Sequence, residues 1–346
     1  MKTLGTIYAC GARTALGLCS ATSALLLRTG LAGITSSALD AGEGEPVTMA
    51  FDKTLDPFVV GDERAALLAR AALGELCSKI KDVRSLKLRV ALALPEPRPG
   101  QPQAEVAALL SRELRRLFDE RLGECAVDAA ARGSAGLGHV LPGALAALQR
   151  REVDAVIAGG AHTDYDPAVI GALAATGRLF KPEALDAVLP GEAAAFVLIG
   201  RADLGHRLGL RPLCEIVSIA SASSNITPYN DTSAFESSAL AGVLRTAAEP
   251  LPDELRIGWA HGDHGIEHFR IRELYSAITR ENKLFVEPMM FDSPPQRMGR
   301  TGAASLPLFL ALAAESYEKQ FAPSPIGLLL AGSDGGERTA IVVSSP

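Results

Sequence analysis

The chain has 346 residues, 48% of them hydrophobic and 21% charged, with a formal net charge of −6. That acidic balance argues against nucleic acid or an anionic membrane as the main partner, because both need a basic surface. No run reaches the ~18 apolar residues of a membrane span. The five cysteines (Cys10, Cys19, Cys77, Cys125, Cys214) are scattered without a C-x-x-C pair, which points to reduced thiols in a cytoplasm.

In chain order, Thr3 to Ala9 is a short apolar run ending at Cys10-Gly11, read as a strand and turn rather than a signal peptide. Ser20 to Arg28 predicts a helix, with Ser20 as its cap. Gly42 to Asp56 is polar and punctuated, so it is expected to be a loop. Asp62 to Ile80 carries Leu68, Ala72, Leu76 and Ile80 at steps of four, the spacing of a helix. Leu88 to Leu94 is an apolar run stopped by Pro95 and Pro97, a buried strand; Ala104 to Leu122 is an amphipathic helix. Further strands are expected over Asp154 to Ala161, Ala193 to Gly200, Arg211 to Ala220 and Leu255 to Ala260. Ala303 to Tyr317 reads as a helix interrupted early by Pro307. Ile326 to Ala331 and Thr339 to Ser344 read as a closing hairpin. Strands alternating with helices predict an α/β fold with central sheets.

Several segments, in order, resemble the β-ketoacyl-acyl-carrier-protein synthases of the thiolase superfamily. They are Ile7 to Ile34, Glu152 to Gly160 (EVDAVIAGG), Ala174 to Leu179 (AATGRL), Leu189 to Ile199 (LPGEAAAFVLI), Trp259 to Gly262 (WAHG), Gly299 to Ala304 (GRTGAA) and the Gly335-Gly336 pair. The resemblance covers nearly the whole chain. It implies a thiolase-like five-layer α-β-α-β-α sandwich of two pseudo-symmetric halves, residues 1–205 and 206–346, commonly dimeric.

The chemistry of that family needs a thiolate at a helix N-terminus, two imidazoles and an oxyanion hole. Counting back from Asp154 puts the nucleophile position at Ser134, or with a one-residue gap at Gly133; no cysteine lies there. The first histidine corresponds to His261, followed by Asp263 where the family has threonine. The second histidine position falls on Gln296, which can donate a hydrogen bond but cannot carry charge. The upstream lysine corresponds to Phe291, the gating phenylalanine to Asp334 and a nearby asparagine to Arg338. Glu192 keeps the position of a buried structural acid.

Two readings stay open. One is a non-condensing partner subunit, similar to chain-length factors, that handles acyl-carrier thioesters beside a catalytic ketosynthase in fatty-acid or polyketide-type biosynthesis. The other is an acyltransferase or thioester hydrolase using Ser134 with His261. The fold is expected to bring Ser134, His261 and Gln296 together in one pocket, and neither reading requires a cofactor. A third pattern, His264-Gly265-Ile266-Glu267-His268, matches the H-x-x-E-H of zinc hydrolases and would need both histidines on one helix face.

Overall fold

The computed structural model describes residues 2–40, 42, 44–98, 101–102, 105–230 and 237–346. Strand β1 (Gly5–Thr14) leads into helix α1 (Ser20–Arg28), a hairpin of β2 (Ile34–Asp40) and β3 (Pro46–Ala50), and α2 (Gly61–Ser78). Next come β4 (Leu88–Leu94), α3 (Ala108–Leu122), β5 (Ala126–Ala131), α4 (Leu137–Gln149), β6 (Ala155–Thr163), α5 (Pro167–Ala175), β7 (Glu192–Gly200) and α6 (Ala202–Leu208). The chain continues through β8 (Cys214–Ser223), α7 (Ser238–Ala248), β9 (Ile257–Gly262), α8 (His268–Arg280), β10 (Phe285–Asp292), α9 (Pro295–Met298), α10 (Ser305–Glu318), β11 (Ile326–Gly332) and β12 (Glu337–Ser344).

Ten strands form one sheet in the order β10-β9-β11-β12-β8-β1-β7-β6-β4-β5. Reading outward from its middle, β1-β7-β6-β4-β5 and β8-β12-β11-β9-β10 repeat the same topology. They are joined only by a short antiparallel pairing, Gly5–Ile7 against Cys214–Ile216. Three apolar cores separate the layers. One surrounds α4 and α10 between the inner faces of the two half-sheets. The second lies under α2 and α3, and the third under α7 and α8. This is the five-layer α-β-α-β-α sandwich.

Close approach is bought with glycine where the layers meet. A Cβ on Gly159 of β6 would lie 2.0 Å from the Phe196 ring, and one on Gly160 only 2.3 Å from the Ala303 carbonyl oxygen. Helix α10 is apolar and buried nearly all round, as a middle layer requires. Pro307 falls in its first turn, where no backbone donor is missed, so the expected interruption does not occur. The expected loop from Gly42 to Asp56 instead contains β3, whose apolar Val47 and Met49 are buried (Glu43 lies outside the described residues). Ala104, where the amphipathic helix was placed, also lies outside them; α3 begins at Ala108. Glu192 is fully buried and ion-paired with the equally buried Arg64 at 2.7 Å. Among the described residues no helix is long and apolar enough to cross a membrane.

Candidate active site

Loops at the carboxyl ends of the parallel strands meet beneath α4 and α10, the usual place for a site in an α/β sheet. After β5 the chain turns sharply: Gly133 adopts φ +63°, then Ser134 and Ala135 form a single 3-10 turn that opens α4. The turn is tied to the closing loop, because the Ser333 hydroxyl donates to the Arg132 carbonyl and accepts from the Ala135 amide.

The residue at the apex has no side chain, and its space is taken. A Cβ on Gly133 would sit 2.7 Å from a Glu96 carboxylate oxygen. Glu96, just beyond β4, accepts from the amides of Asp334 (2.9 Å) and Gly335 (2.8 Å). Burial and then the neighbouring Asp334 push its carboxyl up to about 7, against the pull of those two amides. The Ser134 hydroxyl faces Asp263, which also accepts from the Gly332 amide at 3.0 Å; burial raises the Asp263 carboxyl.

Around this turn lies a cluster of matched charges. Asp334 accepts from Arg178 at 2.8 Å and from Arg270, and lies 3.8 Å from Arg300. Burial alone would raise its carboxyl, but Arg270 and Arg178 hold it well below the usual carboxylate range. Arg178 also binds Glu267 through Nε at 2.9 Å. Arg300 forms a fork on Asp164, at 3.0 and 2.6 Å, and Asp164 takes a third contact from His162 Nε2 at 3.1 Å. Asp164 is fully buried, yet Arg300 and His162 hold it far down. Arg338 is paired with Glu273 at 2.9 Å. Each arginine is thus matched to a carboxylate, the condition for burying charge at tolerable cost.

Two small cavities border the Ser134 turn. One of about 130 Å³ is bordered by Glu96, Ser134, His162, Tyr229, Arg270 and Asp334. The other, of about 30 Å³, lies between Ser134, Asp263, His264 and Arg300. None of the five cysteines borders either cavity.

The expected trio does not line one common cavity. Ser134 lies at the turn, but His261 opens into a different cavity, against Trp259 and Phe309. Asp263, two residues further along, is what reaches Ser134 from the end of β9. Gln296 is exposed and donates to the Gly265 carbonyl at 3.0 Å; Arg300, four residues later, reaches the cluster instead. The zinc reading is corrected as well. Helix α8 starts only at His268, whose side chain is exposed beside Asp186, while Glu267 is engaged by Arg178. No cluster of metal-ligating side chains occurs among the described residues. Sequence counting missed Glu96, His162, Arg178 and Arg270. Position was a signal only for Glu96 and His162, just past β4 and at the end of β6; Arg178 lies in the loop after α5 and Arg270 within α8.

No protein-family model matches the chain, and no curated protein matches it in sequence. Solved structures do match in fold. The ketosynthase domain OzmH KS7 of oxazolomycin biosynthesis from Streptomyces albus JA3453 superposes with a TM-score of 0.78 at 13% identity, covering 100% of this chain and 74% of that one. The AntDE:AntF complex, a type II polyketide synthase acyl-carrier protein with its ketosynthase bound to the hexaketide, gives 0.78 at 14% identity and covers 100% of both chains. The ishigamide ketosynthase/chain length factor gives 0.78 at 15% identity over 99% of each chain. The chain has the thiolase-like fold of the ketosynthases, which by itself does not assign a reaction.

Proposed function

We propose that this chain is a non-condensing, ketosynthase-like subunit of fatty-acid or polyketide-type biosynthesis, its two halves spanning residues 1–205 and 206–346. It pairs with a second copy or with a catalytic ketosynthase, and it receives an acyl-carrier thioester at the Gly133–Ser134 turn without forming a covalent bond to it. The observation that carries this reading is the Gly133 apex, whose side-chain space holds the Glu96 carboxylate. Condensation needs a low-pKa thiolate at a helix N-terminus and donors free to meet an oxyanion. Here the apex has no thiol, and Arg178, Arg270 and Arg300 are already engaged by Asp334, Glu267 and Asp164. The reading also agrees with the structural neighbours, which include a ketosynthase/chain length factor and a carrier-protein complex. His261 lines a different cavity from Ser134, which speaks against a Ser134–His261 acyltransferase.

Intact-mass spectrometry after incubation with acyl-carrier thioesters tests this. The expected result is an unmodified chain mass. An acyl adduct that maps to Ser134 and disappears in Ser134→Ala would overturn the proposal.

A further inference from the structure

A cavity of about 470 Å³, more than three times the larger of the two beside Ser134, lies away from the ion-pair cluster. It opens between α1, strands β9 and β10, and the C-terminal part of α10. Its apolar lining includes Leu27, Trp259, Phe291 and Phe321. The volume is in the range, ~300–1,000 Å³, of cavities that take small organic ligands.

Its polar lining is Arg28, His261, Asp292, Arg297 and Ser316. His261 Nδ1 is buried without a hydrogen-bond partner, and its nearest acid, Asp292, is 3.6 Å away. Burial pushes the imidazole down to about 4 despite Asp292, so it is neutral at pH 7. Arg297 Nε is likewise buried and unpartnered, although another nitrogen of that guanidinium binds Asp292. Arg28, at the end of α1, stacks its guanidinium 4.8 Å over the Phe321 ring and has no carboxylate partner among the described residues. Two cations against one carboxylate leave this cavity net positive in a chain of net charge −6.

We infer that this cavity binds an amphipathic organic anion, an aromatic carboxylate. Arg28 takes the carboxylate, and the aromatic body stacks among Trp259, Phe291 and Phe321. The residue that sequence resemblance marks as catalytic thereby lines a separate, non-covalent binding site. This holds whether or not the chain condenses thioesters.

Trp259 is the only tryptophan in the chain, so its emission reports this cavity alone. The test titrates the whole protein with 4-butylbenzoate and, as an uncharged match, 4-butylbenzyl alcohol, with calorimetry in parallel. The expected result is saturable binding of the carboxylate, at least tenfold weaker binding of the alcohol, and at least a tenfold loss in Arg28→Glu. Arg28 is exposed, so that variant should fold. Absence of saturation at millimolar carboxylate overturns the inference, as does equal affinity for the alcohol or an unchanged affinity in Arg28→Glu.

Discussion

A single missing Cβ, at Gly133, decides more about this protein than any residue that is present. It leaves room for Glu96, and Glu96 then experiences the field of Asp334. The sign of its effect on stability is unusual for a carboxylate. A carboxyl raised from 4.5 to about 7 binds a proton in the native state that the unfolded chain has already released. Its contribution is therefore complete below pH ~4.5 and is lost as pH rises through about 7, at up to about 1.4 kcal/mol per pH unit. Asp334 and Asp164, both held down, act in the opposite sense at more acid pH. Urea titrations between pH 5 and 8 should show that Glu96→Gln removes a downward slope; an unchanged slope would mean that Glu96 titrates normally. The buried Arg64–Glu192 pair gives a second expectation. Glu192→Gln should cost about 3–5 kcal/mol in the same assay, because Arg64 is left buried and uncompensated; a loss below about 1 kcal/mol would contradict that. Ser134 was legible from spacing, but the depth of His261 was not. Two residues along an extended chain are about 7 Å, enough to bring Asp263 to Ser134 and leave His261 beside another cavity.

Elements were legible in proportion to how simply their faces are buried. Helix α1, strand β4 and the β11–β12 hairpin follow directly from apolar runs and punctuation. Strand β5 was missed because Ala126–Ala131 is a short edge strand of small residues without alternation. Helix α8 was passed over although Phe269, Leu274 and Ala277 are buried along it; its Arg270 and Glu273 turn inward as well, to the ion-pair cluster. The glycines of β6 are strict consequences of packing on both faces. Gly159→Ala should destabilise the fold by about 1–3 kcal/mol through overpacking against Phe196. Adding Phe196→Leu should recover part of that loss; no recovery in the double variant would show that the contact is not the cause.

At the scale of the molecule, the repeated strand order leaves two sheet edges, β5 and β10. Edge β10 is guarded by Pro288, which has no amide hydrogen to offer. Edge β5 has no proline, and its alanines are partly exposed, so a partner subunit is expected to seat there. Light scattering of the chain, alone and copurified with a ketosynthase, should find a two-chain species in at least one case. Ala129→Pro should weaken it, and a monomer in both preparations would count against the assembly.

The central claim, that a ketosynthase fold here encloses matched charges instead of a condensing centre, is tested most directly by a condensation assay. Purified protein is supplied with acyl-carrier and malonyl-carrier thioesters and no other subunit. The account expects no β-ketoacyl product above the protein-free rate; turnover that is abolished in Ser134→Ala or Asp263→Asn would contradict it.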